Sequence, residues 1–113
     1  DQEDQIDAVT AVSGSGPAYY FLMMEAMIQG AEKLGLSTDI AQQLVLQTAA
    51  GAAKMAQQSS QTPAQLRQAV TSPKGTTEQA INTFNDGGFN NLCDAAMAAA
   101  HHRSQELAQL FKP

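Results

Sequence analysis

Apolar side chains recur along this chain at intervals of three and four residues, and no stretch alternates as a strand would, so the pattern predicts helices throughout. Residues 3–12 read as a short helix with Ile6, Val9 and Val12 inward. Ser13-Gly14-Ser15-Gly16-Pro17 breaks it and starts the next, with Pro17 near the first helical position. From 18 to 34, Tyr20, Met23, Met24, Met27, Ala31 and Leu34 share one face, and Glu25, Gln29, Glu32 and Lys33 the other. Gly35 is the expected stop. Asp39 and Gln42 have capping-box spacing ahead of a long helix over 40–58. Its middle, Ala49-Ala50-Gly51-Ala52-Ala53, has almost no side chain and invites close approach by another helix. Ser59-Ser60-Gln61 is a loop, and Thr62-Pro63-Ala64-Gln65 caps a short helix ending near Val70. A helix over 77–86 turns Ala80, Ile81 and Phe84 inward, and Gly87-Gly88 ends it. A last helix covers 90–111, with Leu92, Ala96, Ala99, Arg103, Leu107 and Leu110 in one stripe.

The expected fold is all-α, a single helical bundle over 1–113 with two long alanine-rich helices. Aromatics are 5% of the 113 residues and Trp is absent, which argues against a sheet sandwich. The alanine and methionine faces exceed what one small core can use, so an intertwined homodimer is expected. Net charge is −5 with no Lys/Arg cluster, which disfavours nucleic acid and anionic membranes as partners. No apolar run approaches the length of a membrane span. The lone Cys93 excludes an intrachain disulfide and fits a reducing, cytoplasmic location. The acidic start, Asp1-Gln2-Glu3-Asp4, does not resemble a signal peptide and suggests a fragment cut from a longer protein.

Candidate chemistry centres on Val70-Thr71-Ser72-Pro73-Lys74-Gly75-Thr76-Thr77-Glu78, between two predicted helices. Thr76 and Gln79 have capping-box spacing, placing a helix start there. Amides at such a start point outward and favour an anion. Gly75 is free to take positive φ or to admit a ligand close to the backbone. The hydroxyls of Ser72 and Thr77 lie alongside. The same features also describe an ordinary capped helix start.

Other candidates are weaker. His101 and His102 are adjacent, so they point about 100° apart on a helix and cannot share a metal. No zinc-like spacing occurs, and no metal site is expected. Cys93 reads as a small packed hydrophobe, and Glu25 with Glu32 as a solvated face. Lys54 follows Gly51 in the slim helix. The helical domains of β-hydroxyacid dehydrogenases place a catalytic lysine one residue further from such a glycine, with an asparagine where Gln57 stands. Lys54 is therefore read as solvated.

Five motifs in order carry a stronger resemblance: Ser13-Gly14-Ser15-Gly16-Pro17-Ala18-Tyr19, Gly51-Ala52-Ala53-Lys54-Met55, Pro63 with Leu66, Val70-Thr71-Ser72-Pro73 with Gly75-Thr76-Thr77, and Gly87-Gly88-Phe89. Over about residues 6–110 the chain resembles the C-terminal domain of pyrroline-5-carboxylate reductase, the last enzyme of proline biosynthesis. The resemblance implies an NADPH-dependent oxidoreductase, with NADH as an alternative donor, whose N-terminal Rossmann domain binds the cofactor and is missing here. It implies an intertwined homodimer, with further assembly left open, and pyrroline-5-carboxylate or proline as the small-molecule ligand. Carried over residue by residue, Gly75, Thr76 and Thr77 hold the substrate carboxylate with backbone N–H groups, Ser72 supports the loop, and Thr77, the candidate catalytic residue, approaches the ring nitrogen. Lys74 stands where the family usually has a second glycine, and Ser60 where many relatives have glutamate. The competing readings are a stand-alone helical dimerisation module without catalysis and the helical half of a β-hydroxyacid dehydrogenase.

Overall fold

A computed structural model describes residues 2–111, and every element in it is helical. Helix α1 is Gln2–Val9, followed without interruption by a π-helical turn, Thr10–Gly14. Then come α2 (Gly16–Lys33), α3 (Thr38–Gln58), α4 (Pro63–Ala69), α5 (Thr76–Asp86) and α6 (Phe89–Leu110). The all-α expectation holds, and α3 and α6 are the two long alanine-rich helices. No described helix is long and apolar enough to cross a membrane.

The chain divides into two compact units, one holding the residues up to Tyr20 and from Thr83 on, the other Phe21–Asn82. In the first unit α6 packs against α1 and the π-helical turn. The Ser104 hydroxyl donates to the Asp7 carboxylate at 2.6 Å, tying α6 to α1. Asp7 and Ala11 are the buried positions of this segment, at 8% and 3% exposure. Ile6, Val9 and Val12, expected inward, are exposed. Asp7 and Ala11, four residues apart, share the face that is buried where α6 packs, and Ile6, Val9 and Val12 lie off it. As expected, one helical stretch ends and the next begins within Ser13–Pro17: the π-helical turn stops at Gly14 and α2 starts at Gly16, with Pro17 its second residue. Ser15 keeps helical φ and ψ, and its N–H reaches the Thr10 carbonyl at 2.8 Å, five residues back. The Tyr19 hydroxyl donates to the Ala11 carbonyl at 2.7 Å and supports the turn from α2.

In the second unit α2 ends at Gly35, whose φ of 102° is open to glycine, with the Leu36 N–H on the Ala31 carbonyl. The cap of α3 is Ser37, not Asp39: its hydroxyl accepts the Ile40 N–H at 3.3 Å, and the helix starts at Thr38. Asp39 falls instead in the first turn, where a carboxylate favours the helix dipole. Thr62 and Gln65 form a complete capping box for α4, with Pro63 behind the cap. Ala41 and Val45 are the buried apolar residues of α3.

The interior is small for the length of the chain. Among the described residues the buried hydrophobics are Ala11, Ala41 and Val45. On the apolar face that α2 begins, Tyr20, Met27 and Leu34 are exposed and Met23, Met24 and Ala31 half-buried. So are Leu92, Leu107 and Leu110 of the α6 stripe, and Phe84 of α5. Met27, Gly30, Ala31, Leu34, Leu44, Val45 and Thr48 line an apolar groove of about 520 Å³ along α2 and α3.

Candidate functional site

Helix α4 runs out at Ala69, and the Thr71 hydroxyl closes its end by donating to the Arg67 carbonyl. The chain then makes a tight turn from Ser72 to Gly75, in which the Gly75 N–H donates to the Ser72 carbonyl at 3.1 Å. Pro73 takes the second position, where its fixed φ is favourable. The third position needs positive φ when the second is extended, and Lys74 supplies it with φ 63°. This is the one described non-glycine residue in that region. The positive φ expected at Gly75 therefore lies at Lys74 instead. Gly75 serves by its small size: a Cβ there would sit 3.2 Å from the Ser72 carbonyl oxygen.

Helix α5 begins at Thr76, one residue ahead of the expected start at 77. Gly75 occupies the cap position, and its carbonyl accepts the Gln79 N–H at 3.3 Å. Thr76 is thus the first helical residue rather than the cap. The Glu78 carboxylate folds back and accepts the Lys74 N–H at 3.0 Å. Sequence reasoning missed Glu78. Placing the cap at Gly75 would have revealed it, because an acid at the third helical position commonly reaches back over the cap.

These bonds sort the amides of the loop. Those of Lys74 and Gly75 are engaged, by Glu78 and by Ser72. Among the described residues, the amides of Thr76, Thr77 and Glu78 have no acceptor, as expected for the first turn of a helix. Three outward N–H groups at the positive end of the helix dipole suit a carboxylate or a similar small anion. Ser72 and Thr76 are exposed, while Gly75, Thr77 and Glu78 are half-buried. Ser72, Gly75, Thr76 and Thr77 thus lie in one tight turn and one helical start, and Thr77 is the second residue of that helix. The apolar groove on α2 and α3 is lined by none of them.

The remaining candidates stand apart. Lys54 is exposed, as expected of a solvated lysine. His102 lies 3.9 Å from the Glu106 carboxylate in an exposed pair, which Arg103 joins at 3.4 Å. No group of described His, Cys, Asp or Glu residues could hold a metal ion. Cys93, expected to pack as a hydrophobe, is exposed on α6, within the same incompletely covered helix as Leu92. Glu25 and Glu32 are both exposed as expected, and Glu32 also accepts the Thr38 hydroxyl at 2.8 Å across the link between α2 and α3.

Comparison with known proteins gives a consistent set of relatives. Residues 3–107 match the family described as pyrroline-5-carboxylate reductase dimerisation. A pyrroline-5-carboxylate reductase of Pseudomonas aeruginosa is 61% identical over 109 residues, which is 96% of this chain and 40% of the relative. The solved structure of a pyrroline-5-carboxylate reductase from Coxiella burnetii superposes with a TM-score of 0.91 at 51% identity, over 95% of this chain and 40% of that one. A Plasmodium falciparum pyrroline carboxylate reductase, solved with NADP bound, superposes with a TM-score of 0.88 at 35% identity, over 91% of this chain and 39% of its own. The chain spans about two-fifths of the length of the relatives it matches.

Proposed function

The chain belongs to the pyrroline-5-carboxylate reductase family as its dimerisation domain, and from that premise we propose that it forms the substrate-binding half of an NADPH-dependent reductase converting 1-pyrroline-5-carboxylate to L-proline. The observation that carries the proposal is the row of open amides at Thr76, Thr77 and Glu78.

The proposed substrate has one carboxylate and one ring imine. Its carboxylate docks on the amides at the start of α5, where the helix dipole and the N–H groups act together. Ser72 supports this by holding the turn closed through its carbonyl, and Gly75 by leaving the carboxylate room at the backbone. Thr77 then presents its hydroxyl to the ring nitrogen. A threonine hydroxyl is far too weak an acid to supply the proton at neutral pH, so its contribution is orientation of the ring. The described residues contain no strand, and so no strand–turn–helix cradle for a dinucleotide. The nicotinamide cofactor, which supplies the hydride when bound, is assigned to another part of the parent protein. NADPH is the proposed donor and NADH the alternative. The protein is proposed to work in the cytoplasm.

The proposed assembly is an intertwined homodimer. The uncovered faces of α2, α5 and α6 support it, since exposed apolar surface on this scale is rare on a monomer.

The test is steady-state kinetics of the full-length protein containing this chain. The parent is expected to oxidise NADPH only when pyrroline-5-carboxylate is present. Thr77→Ala is expected to lower kcat/KM about tenfold or more, the scale of one positioned hydrogen bond. A parent with no such activity would refute the reading, and unchanged Thr77→Ala kinetics would remove Thr77 from the site.

A further inference from the structure

We propose that Glu78 is a positioning residue for the substrate loop: by holding the Lys74 amide it keeps a lysine in a backbone conformation suited to glycine, and so aims the neighbouring amides at the substrate carboxylate. The inference deepens the reading of the loop given above and rests on it. Lys74 has φ 63° at the turn position that calls for glycine. A side chain there is unfavourable, and without a restraint the residue would relax toward negative φ. The restraint is the half-buried Glu78, whose carboxylate accepts the Lys74 N–H at 3.0 Å. If Lys74 relaxes, the Ser72–Gly75 turn opens, and the amides of Thr76 and Thr77 lose their common direction.

Glu78 also decides which amides an anion can use. Its carboxylate takes the Lys74 N–H, and the Ser72 carbonyl takes that of Gly75. An incoming carboxylate is therefore directed to the amides of Thr76, Thr77 and Glu78 rather than spread over the whole loop. The Glu78 side chain touches neither substrate nor cofactor in this scheme; it acts through the backbone of Lys74. Removing it should weaken substrate binding without slowing the chemical step, which distinguishes it from Thr77.

In the full-length protein, Glu78→Ala is expected to raise KM for pyrroline-5-carboxylate about fivefold and leave kcat within about twofold, the scale of a left-handed backbone penalty. Glu78→Gln retains the acceptor and should restore KM to within about twofold of the parent. Lys74→Gly in the Glu78→Ala background should do the same, because glycine adopts positive φ without a tether. An unchanged KM in Glu78→Ala, or a raised KM that Lys74→Gly does not relieve, would overturn the proposal. Should Glu78→Ala fail to fold, the comparison of Lys74→Gly with Lys74→Gly/Glu78→Ala decides: KM values within twofold support the coupling, and a fivefold gap overturns it. Hydrogen exchange at the Lys74 amide tests the tether apart from activity. Protection in the parent and Glu78→Gln that is lost in Glu78→Ala supports it, and equal exchange in all three overturns it. If the parent lacks reductase activity, the functional reading of the loop fails while the exchange result still decides whether Glu78 holds Lys74.

Discussion

Lys74 and Gly75 share a turn in which each stands at a position shaped for a different reason. At Lys74 the demand is conformational, positive φ; at Gly75 it is steric, the 3.2 Å approach of the Ser72 carbonyl oxygen to a would-be Cβ. The expected consequences of substitution therefore differ. Lys74→Gly should be tolerated, with turnover of the full-length protein within about twofold. The gain from relieving the left-handed residue, roughly 1 kcal/mol, is offset by the greater freedom of glycine in the unfolded chain. A severe loss of activity would show instead that the lysine ammonium takes part in binding. Gly75→Ala should cost stability, about 1 kcal/mol, because the oxygen it meets is backbone held by the turn and cannot swing aside. It should also raise KM for the carboxylate substrate. Chemical denaturation of both variants beside the parent checks the stability expectations, and a Gly75→Ala variant as stable as the parent would contradict the steric argument.

At the scale of elements, the π-helical turn extends the first helix to Gly14, one residue short of α2. Its extra residue is held by the Ser15–Thr10 backbone bond and by the Tyr19 hydroxyl on the Ala11 carbonyl at 2.7 Å. Tyr19→Phe removes the second restraint and leaves a part-buried carbonyl short of a donor. The expected cost is about 1 kcal/mol of unfolding free energy, and urea unfolding with an unchanged slope would measure it; no loss would mean that water replaces the hydroxyl. Ser13-Gly14-Ser15-Gly16-Pro17 has the composition of a helix breaker, and Pro17 lies in the first turn of α2, where it lacks only an amide that needs no partner. The other helices were legible to within one or two residues, because their caps are local: Thr62 with Gln65, Gly35, and Gly87-Gly88 each act on the nearest turn. Which face of each helix is covered was not legible. Periodicity finds an apolar stripe but not its partner: Ile6, Val9 and Phe84 were expected to lie inward and are exposed, as are Tyr20, Leu34 and Leu92 of the apolar faces. The loop was legible as an anion-suited helix start with Ser72, Gly75, Thr76 and Thr77 together. The role of Glu78 was not, since it depends on the cap lying at Gly75 rather than Thr76.

For the molecule as a whole, the deciding quantity is how little this chain buries by itself. Three buried hydrophobic residues among those described, none larger than valine, leave little to oppose the conformational entropy of a chain of 113 residues. Meanwhile Leu34 is 86% exposed and Tyr20 70% exposed on the same helix, and the α2–α3 groove opens beside Leu44. In the proposed homodimer a second copy covers these faces, which would make folding and association one equilibrium. Such a dimer should unfold with a midpoint that rises with protein concentration. Each tenfold increase adds about 1.4 kcal/mol to the apparent stability, and for a folding unit of this combined size that amounts to a few degrees. Calorimetry or circular dichroism from about 1 to 100 μM, a range spanning two such steps, would register the shift. Light scattering should return twice the chain mass, 11.9 kDa, or a higher multiple. Leu44→Glu supplies the complementary test. On an isolated chain the side chain is half exposed and the substitution nearly silent, whereas beneath a partner it buries an unpaired charge and should shift the population toward unfolded monomer. A concentration-independent midpoint together with a folded, monomeric Leu44→Glu protein would mean that the chain is stable alone, with its apolar faces held in water.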